Sequence, residues 1–309
     1  MLLALFLVMG LSLPALAGYS LIAQAEFTDG NDNTNGGVAA PTADSFYGTA
    51  GNGWAGAWTV AAANGSSGIA TVVDTAELHN GGNYLSYTID SDSNAIGQCR
   101  QYETSGIDFA EPYAISFSYR LDSGLDIFKT GGTASDSGPV DDRLQFMLSS
   151  RIRGQSASDC SVIIGAYGCN GDAAGTGVDH VYWMLYDGTD AAGGWDLQYL
   201  TATPVELFEG VLYDFVINVN PLSKTYTTTI VTDDSQADYT SGNMGWRSLA
   251  TASDHSFFCL GGTSKRDLGS ITSSVDSIVV SQEIADVPEP STIALLASAL
   301  IGLLIWRRK

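Results

Sequence analysis

Residues 211–232 read VLYDFVINVNPLSKTYTTTIVT and consist of two strand-like segments joined by a turn. In the first segment apolar side chains occupy every second position: Val211, Tyr213, Phe215, Ile217 and Val219. Such alternation is typical of a β-strand with one face against a core. Residues 220–224 carry turn-forming Asn and Pro, and residues 225–232 are rich in Thr, Ile and Val, which favour strands. The stretch therefore predicts a β-hairpin.

Similar patterns recur along most of the chain. Residues 115–119 and 144–148 alternate in the same way, and shorter candidates lie at 69–73, 84–89, 161–167, 180–187, 195–201, 256–261 and 275–281. Gly- and Asn-rich turns separate them, and no long stretch between the chain ends has the helical period of about 3.6 residues. We predict an all-β protein, a two-sheet jelly-roll sandwich over residues 18–285.

The charge balance excludes some classes of protein. The 309 residues include 34 acidic and 13 basic side chains, a formal net charge of −21. Basic side chains are too sparse for a phosphate-binding face, so a nucleic-acid partner is excluded. A hydrophobic content of 45% also excludes a disordered polyacid.

Residues 1–17 have the properties of a secretory signal peptide, which predicts signal peptidase as a partner. Residues 2–16 are almost wholly apolar but shorter than a membrane span of about 20 residues. Ala15-Leu16-Ala17 supplies the small residues of a cleavage site, and Ala23-Gln24-Ala25 is a second candidate. We favour the first because residues 19–27 then form the opening strand of the body. A buried N-terminal helix is the alternative.

A three-part pattern occupies residues 286–309. It begins with a proline-containing motif, Val287, Pro288, Glu289 and Pro290. The prolines keep a helix from running back through the motif. Residues 291–306 are apolar and uncharged, and would span about 24 Å as a helix at 1.5 Å per residue. We predict a short transmembrane helix there, ended by a basic stop that suits the cytoplasmic side: Arg307, Arg308 and Lys309.

This arrangement resembles the PEP-CTERM sorting signal of bacterial exported proteins. The resemblance rests on Pro288-Glu289-Pro290, the apolar helix and the basic terminus. It implies recognition by an exosortase, a membrane-embedded cysteine peptidase. That peptidase would cut near the motif and release the body or transfer it to the outer surface. An ordinary tail anchor behind a proline-containing linker is the alternative.

The body resembles concanavalin A-like or laminin-G-like sandwiches over most of residues 26–282. The similar features are the Gly-rich aromatic segment 51–58, the hairpin 215–230 and a final strand at 275–280. The resemblance implies a two-sheet fold. Domains of this kind occur in many proteins that carry a PEP-CTERM signal.

Four cysteines form an even set, which in an exported protein favours disulfides: Cys99, Cys160, Cys169 and Cys259. Cys160 and Cys169 enclose eight residues that include two glycines, so we predict a local bridge. That would leave Cys99 with Cys259, and the other two pairings stay open. A zinc site is a weaker alternative, because the chain has no Cys-x-x-Cys pair and only three His.

No catalytic pattern is evident. Laminarinase-like glycosidases of this fold type place Glu-x-Asp-x-Glu or a close variant on one strand, but no Glu here has an Asp two positions later. The one close pair, Glu206 and Glu209, is interpreted as a solvated edge. The Gly-x-Ser-x-Gly and His-Glu-x-x-His motifs are also absent from the sequence. We therefore predict no catalytic residues.

One loop is a calcium candidate. Asp29, Asn31 and Asn33 offer oxygen ligands at alternate positions, as a calcium loop does. Thr34 and Ala40 stand where an EF-hand needs Gly and Glu, so the loop is not an EF-hand. A turn-forming loop without metal is the alternative.

Three tryptophans are candidates for carbohydrate binding, which uses exposed aromatic faces beside polar side chains. Trp54, Trp58 and Trp246 lie in Gly-rich segments. Packing in the core or under a loop is the alternative interpretation of each.

The sequence thus favours an exported, exosortase-processed protein of the cell surface or extracellular matrix without catalytic activity. It would be held in the membrane by its C-terminal helix before processing. A lectin-type carbohydrate-binding module, with extracellular polysaccharide as its partner, is the first alternative. A divergent polysaccharide hydrolase is the second.

Overall fold

Strands make up most of the chain that the structure describes. The computed structural model describes residues 19–25, 27, 53–63, 68–73, 78, 84–90, 93–102, 108–131, 143–149, 160–170, 179–188, 200–247, 256–264 and 269–283. The predicted signal peptide, residues 1–17, and the sorting segment, residues 286–309, lie outside these ranges. Both therefore stay predictions as far as their conformation is concerned.

Within the described ranges there are sixteen strands and one short helix. The strands are β1 (Tyr19–Ala25), β2 (Thr59–Ala63), β3 (Gly68–Val73), β4 (Tyr84–Ile89), β5 (Ser93–Gln101), β6 (Tyr113–Ser123), β7 (Arg143–Ser149), β8 (Cys160–Asn170), β9 (Asp179–Tyr186), β10 (Leu200–Glu206), β11 (Leu212–Asn220), β12 (Thr225–Thr232), β13 (Tyr239–Thr240), β14 (Met244–Gly245), β15 (Phe257–Ser264) and β16 (Ile271–Glu283). The helix, α1 (Leu125–Gly131), follows β6. It has seven residues, and no helix among the described residues is long and apolar enough to cross a bilayer.

The strands form two sheets. The nine-stranded sheet has the order β13-β12-β11-β6-β16-β4-β3, with β1 also paired to β16 and β14 to β12. The seven-stranded sheet has the order β10-β9-β8-β7-β15-β5-β2. Every strand pair with a described register is antiparallel. The predicted all-β class with two sheets is confirmed.

The predicted hairpin is the pair β11–β12. Its register runs from Tyr213 opposite Thr232 to Asn220 opposite Thr225. As the alternation predicts, Phe215 and Ile217 are buried while Val216 between them is exposed. The apolar face of β11 therefore points toward the other sheet, and the mixed face with Asp214, Val216 and Asn218 points toward solvent.

An aromatic cluster joins the two sheets. Phe117 on β6 and Phe215 on β11 belong to the nine-stranded sheet, whereas Phe146 on β7 and Trp183 on β9 belong to the seven-stranded sheet. Phe117 meets Phe146 edge-to-face with ring centroids 4.7 Å apart, and Phe215 meets Trp183 at 4.9 Å. Each such pair adds about 0.5–1.5 kcal/mol beyond the burial of its area. Since the partners come from different sheets, the sheets pack face to face as a β-sandwich.

The fold differs from the sequence prediction at several strands: β2, β5, β13 and β14 were not predicted, and β10 is shifted along the chain. No strand was expected at β5, and it is a central partner of β15 and β2. A strand was expected at 195–201, whereas β10 covers Leu200–Glu206. Pro204 lies inside β10, and proline is accommodated there because β10 is an edge strand.

Contacts within the chain divide it into two units. Leu21–Gln282 forms one compact unit that contains the sandwich. The other unit comprises Met1–Ser20 and Glu283–Lys309, of which the structure describes Tyr19, Ser20 and Glu283 as strand ends.

Candidate functional site

His180 and Glu206 form a close polar pair at one edge of the seven-stranded sheet. His180 lies on β9, and Glu206 is the last residue of the edge strand β10. The distance from His180 Nδ1 to Glu206 Oε1 is 2.6 Å, and the two side chains are 37% and 20% exposed. A carboxylate at this distance orients the imidazole ring and leaves Nε2 for another partner.

Two further side chains complete this site. Tyr182 lies opposite Glu206 in the strand register, and its ring centroid is 5.8 Å from that of His180. Gln236 Oε1 accepts a hydrogen bond from Glu206 N at 2.7 Å, and Gln236 Nε2 donates to Glu206 O at 3.0 Å. We call His180, Tyr182, Glu206 and Gln236 the edge cluster. All four are half-buried, so an aromatic ring and several hydrogen-bonding groups are presented together at the surface.

A buried tyrosine fixes the main chain at the edge cluster. Burial raises the pKa of Tyr213, so its phenol stays protonated. The hydroxyl donates to Glu206 O at 2.9 Å and accepts from Phe208 N at 2.8 Å. These bonds hold the end of β10, and with it the Glu206 carboxylate, in one position.

Glu209 has a different hydrogen-bond partner from Glu206. Its Oε1 accepts a hydrogen bond from Leu125 N, the first residue of α1, at 2.8 Å. The first N–H groups of a helix have no partner inside the helix, so this carboxylate satisfies one of them. The predicted close pair thus consists of one carboxylate bound to an imidazole and one bound to a helix terminus. Glu209 is exposed and Glu206 is partly exposed on the edge strand, as the interpretation of a solvated edge expects, and each carboxylate also has a defined partner.

A second polar surface lies on the outer face of the nine-stranded sheet. Arg120 Nε contacts Asp122 Oδ1 at 2.6 Å, and Ser274 also donates to Asp122. Ser118 donates to Asp214 Oδ1 at 2.6 Å. The alternation along β6 could have indicated these residues, because Ser118, Arg120 and Asp122 occupy its polar positions. Carboxylates outnumber guanidinium groups here, consistent with the acidic composition.

The three tryptophans predicted for sugar stacking are in the core. Trp54, Trp58 and Trp246 are 0%, 2% and 0% exposed. Arg100 lies over the ring of Trp54 at 5.0 Å and over that of Trp58 at 5.8 Å. No indole face is left for a ligand, so the carbohydrate hypothesis is wrong for these three residues and the packing interpretation holds. Gly53, next to Trp54, marks a close approach of the main chain to β1 rather than exposure.

The predicted bridge between Cys160 and Cys169 is also wrong. Both residues lie on the single strand β8, nine positions apart. At about 3.3 Å per residue their Cα atoms are roughly 30 Å apart, whereas a disulfide needs about 4–7 Å. The two glycines between them do not form a turn. Cys99 and Cys259, in contrast, lie on neighbouring strands β5 and β15.

The remaining predicted site residues lie outside the described residues. These are the calcium candidates Asp29, Asn31 and Asn33, the motif Val287, Pro288, Glu289 and Pro290, and the basic stop Arg307, Arg308 and Lys309. Within the described ranges, no three His, Cys, Asp or Glu side chains come together as metal ligands would. Calcium binding at Asp29 therefore stays a prediction.

Comparison with solved structures finds several similar sandwiches at low identity. The catalytic domain of the glycoside hydrolase family 131 protein from Coprinopsis cinerea is 11% identical, with a TM-score of 0.40 over 70% of this chain and 80% of that one. A GH131 β-glucanase catalytic domain from Podospora anserina is 10% identical, with a TM-score of 0.42 over 71% and 80%. Lectin II from Ulex europaeus is 15% identical, with a TM-score of 0.37 over 74% and 93%. Structural similarity at these TM-scores and sequence identities supports no conclusion about activity or ligand.

Comparison with protein families gives a more specific result. Among curated proteins none matches the sequence. The family described as PEP-CTERM protein-sorting motif matches residues 286–309. The match covers the proline-containing motif, the apolar stretch and the basic stop predicted from the sequence. The chain therefore carries a PEP-CTERM sorting motif at its C-terminal end.

Proposed function

We propose that this protein is exported, that an exosortase recognises and cuts its C-terminal segment, and that the sandwich acts at the cell surface or in the extracellular matrix without catalysing a reaction. The match of residues 286–309 to the sorting motif carries the proposal. In the precursor, residues 1–17 serve as the signal peptide and residues 291–306 as a membrane helix. Signal peptidase and exosortase are the processing partners.

The separate partners of Glu206 and Glu209 argue against their acting together as the paired carboxylates of a glycosidase. The carboxylates of the one close glutamate pair are bound to His180 and to the first N–H of α1. Glu209 thereby acts as a structural group of α1. We further propose that the two sheets follow the concanavalin A-like jelly-roll arrangement.

Substitution of the sorting motif tests the export proposal. Replacing Pro288, Glu289 and Pro290 together by Ala should leave an uncut precursor in the membrane fraction. Changing Ser291 and Thr292 to Ala, directly after the motif, should leave processing unchanged. The measurement is the mass of the C-terminal peptide and the partition of the protein between membrane and medium. Normal processing of the triple variant would overturn exosortase recognition.

A second candidate function, carbohydrate binding, is favoured by the edge cluster. Carbohydrate sites combine an aromatic face with hydrogen-bonding side chains, and Tyr182 stands beside His180 and Glu206. A glycan array with the purified protein tests it. Binding that is lost in Tyr182→Ala and kept in Asn218→Ala, a change at an exposed site on the other sheet, supports this function. No binding to any glycan contradicts it.

Hydrolysis is tested separately. Reducing-sugar release from a panel of polysaccharides should be absent for the native protein and for Glu206→Gln and Glu209→Gln. Release by the native protein that disappears in Glu206→Gln would overturn the non-catalytic proposal.

A further inference from the structure

Cys99 and Cys259 face each other across two neighbouring strands. β5 and β15 are antiparallel, and their register sets Cys99 directly opposite Cys259. The register is regular on both sides of this pair, from Phe257 opposite Gln101 to Gly262 opposite Ile96. Both cysteines are 0% exposed.

The hydrogen-bond pattern shows which kind of pair this is. Tyr102 N donates to Ser256 O at 2.8 Å, so Tyr102 and Ser256 form a hydrogen-bonded pair. Pairs alternate along an antiparallel ladder between hydrogen-bonded and non-hydrogen-bonded. Three positions farther on, Cys99 and Cys259 therefore form a non-hydrogen-bonded pair. In such pairs the Cα atoms are about 4.5 Å apart and the side chains are closest, which lies within the range of about 4.4–6.8 Å for a disulfide.

The third described cysteine has other neighbours. Cys160 belongs to the same buried cluster as Cys99 and Cys259, but it lies opposite Ser149 in the register of β7 and β8. Its thiol donates to Met147 Sδ at 3.8 Å. Met147 itself is the register partner of Cys259 on the side away from Cys99. Cys160 is therefore held one strand farther away, and Cys99 is the cysteine in register with Cys259.

We propose that Cys99 and Cys259 form a cross-strand disulfide in the exported protein. The Cys99 Sγ–Cys259 Sγ bond forms as two S–H bonds break. The two electrons and two protons pass to a disulfide-bearing oxidant, a thiol–disulfide oxidoreductase of the oxidising exterior, which leaves as a dithiol. The inference depends on the proposed export, because cytoplasmic thiols stay reduced. Its pairing rests on the strand register alone.

Peptide mapping under non-reducing conditions tests the pairing. The full-length chain, purified in reduced form, is oxidised with a glutathione redox buffer, and the protein recovered from the cell exterior is mapped in parallel. In both, the peptide with Cys99 should be joined to that with Cys259, and Cys160 should be alkylated. Alkylation of both Cys99 and Cys259 in the two samples, or a bond from either to Cys160 or Cys169, overturns the proposal. If the bond forms in the oxidised full-length chain but no exported protein is found, the pairing stands and the proposed function fails.

Unfolding of serine variants gives a second readout. Cys99→Ser, Cys259→Ser and the double variant should lower the melting temperature of the oxidised protein by the same amount, because each removes the same bond. Reducing agent should lower the melting temperature of the native protein but not that of these variants. Cys160→Ser is the matched control and should keep the response to reducing agent. If reducing agent leaves the melting temperature of the native protein unchanged, the proposed disulfide is contradicted.

Discussion

Trp54 donates a hydrogen bond from Nε1 to the main-chain carbonyl of Gln24 at 2.8 Å. The indole is fully buried, as are Ala23 and Ala25 on either side of Gln24. This bond ties the segment before β2 to β1, which in turn pairs with β16. β1 is therefore an integral part of the sandwich.

The first prediction concerns signal cleavage. We expect the mature protein to begin at Gly18. Cutting after Ala25 would remove β1 and, with it, the Gln24 carbonyl to which Trp54 donates its hydrogen bond. An unsatisfied buried N–H alone costs about 1–3 kcal/mol. Mass spectrometry of the exported protein measures the N terminus. Ala17→Arg should block processing and Leu21→Arg, at an exposed position, should not. A mature chain beginning at Glu26 would contradict the prediction.

The second prediction concerns Gly53. Its φ is +80°, and a Cβ added there would lie 1.7 Å from the carbonyl oxygen of Ile22. Gly53→Ala must therefore push β1 away, and overpacking of this kind costs about 1–3 kcal/mol before the strain of the positive φ is added. Gly56→Ala is the control, since a Cβ there meets nothing within 4 Å. Urea unfolding should show a lower free energy of unfolding for Gly53→Ala and a change within about 0.5 kcal/mol for Gly56→Ala. Equal effects of the two substitutions would refute the argument.

The third prediction concerns the start of α1. Glu209→Ala removes the acceptor of Leu125 N and should lower the free energy of unfolding by about 1 kcal/mol. Glu209→Gln keeps a carbonyl oxygen at the same position and should recover most of that loss. Thermal unfolding of the two variants measures the difference. If Glu209→Gln lowers the free energy of unfolding as much as Glu209→Ala does, the hydrogen bond to Leu125 N is not the cause of the loss.

The fourth prediction concerns acid stability. Slight burial raises the pKa of Asp234, but hydrogen bonds from Gln236 and Thr232 lower it, and the net pKa lies below the ordinary value. A carboxyl whose folded pKa is depressed stabilises the fold above its unfolded pKa, about 3.9. This contribution is lost as the pH falls through the folded pKa. Asp234→Asn should therefore be less stable than the native protein at neutral pH, and the two should converge in acid.

Urea midpoints measured from neutral pH down to the acid limit test this convergence. The exposed Asn218→Ala, which changes no titratable group, serves as the control and should keep a constant offset from the native protein at every pH. A constant gap between the Asp234 variant and the native protein at every pH would contradict the role of the carboxylate charge.

The hairpin β11–β12 was predictable because the apolar residues at every second position of β11, Tyr213 to Val219, are buried, as the rule that apolar side chains face the core requires. β5 breaks that rule: Gln98 and Arg100 are buried and lie opposite Leu260 and Phe258. The guanidinium of Arg100 is accommodated over Trp54, a contact between residues 46 positions apart (100 − 54). A local pattern carries no information about such a partner, so β5 was missed.

The edge cluster shows the same limit. His180 and Tyr182 share a strand face, which their spacing could indicate, but Glu206 comes from another strand and meets them only through the β9–β10 register. The Cys160–Cys169 prediction failed for the opposite reason. Closeness in sequence suggested closeness in space, while a continuous strand holds the two residues far apart.

The position of β16 has a consequence for biosynthesis. This strand is the last one described, yet it lies between β6 and β4 and also pairs with β1. Under the proposed export, with the N terminus leading, β1 and β6 are translocated before β16, their neighbour in the sheet. Pairings between such distant segments form slowly. Under the proposed export, the nine-stranded sheet is therefore completed only after the residues up to 283, which come shortly before the sorting motif, have been translocated.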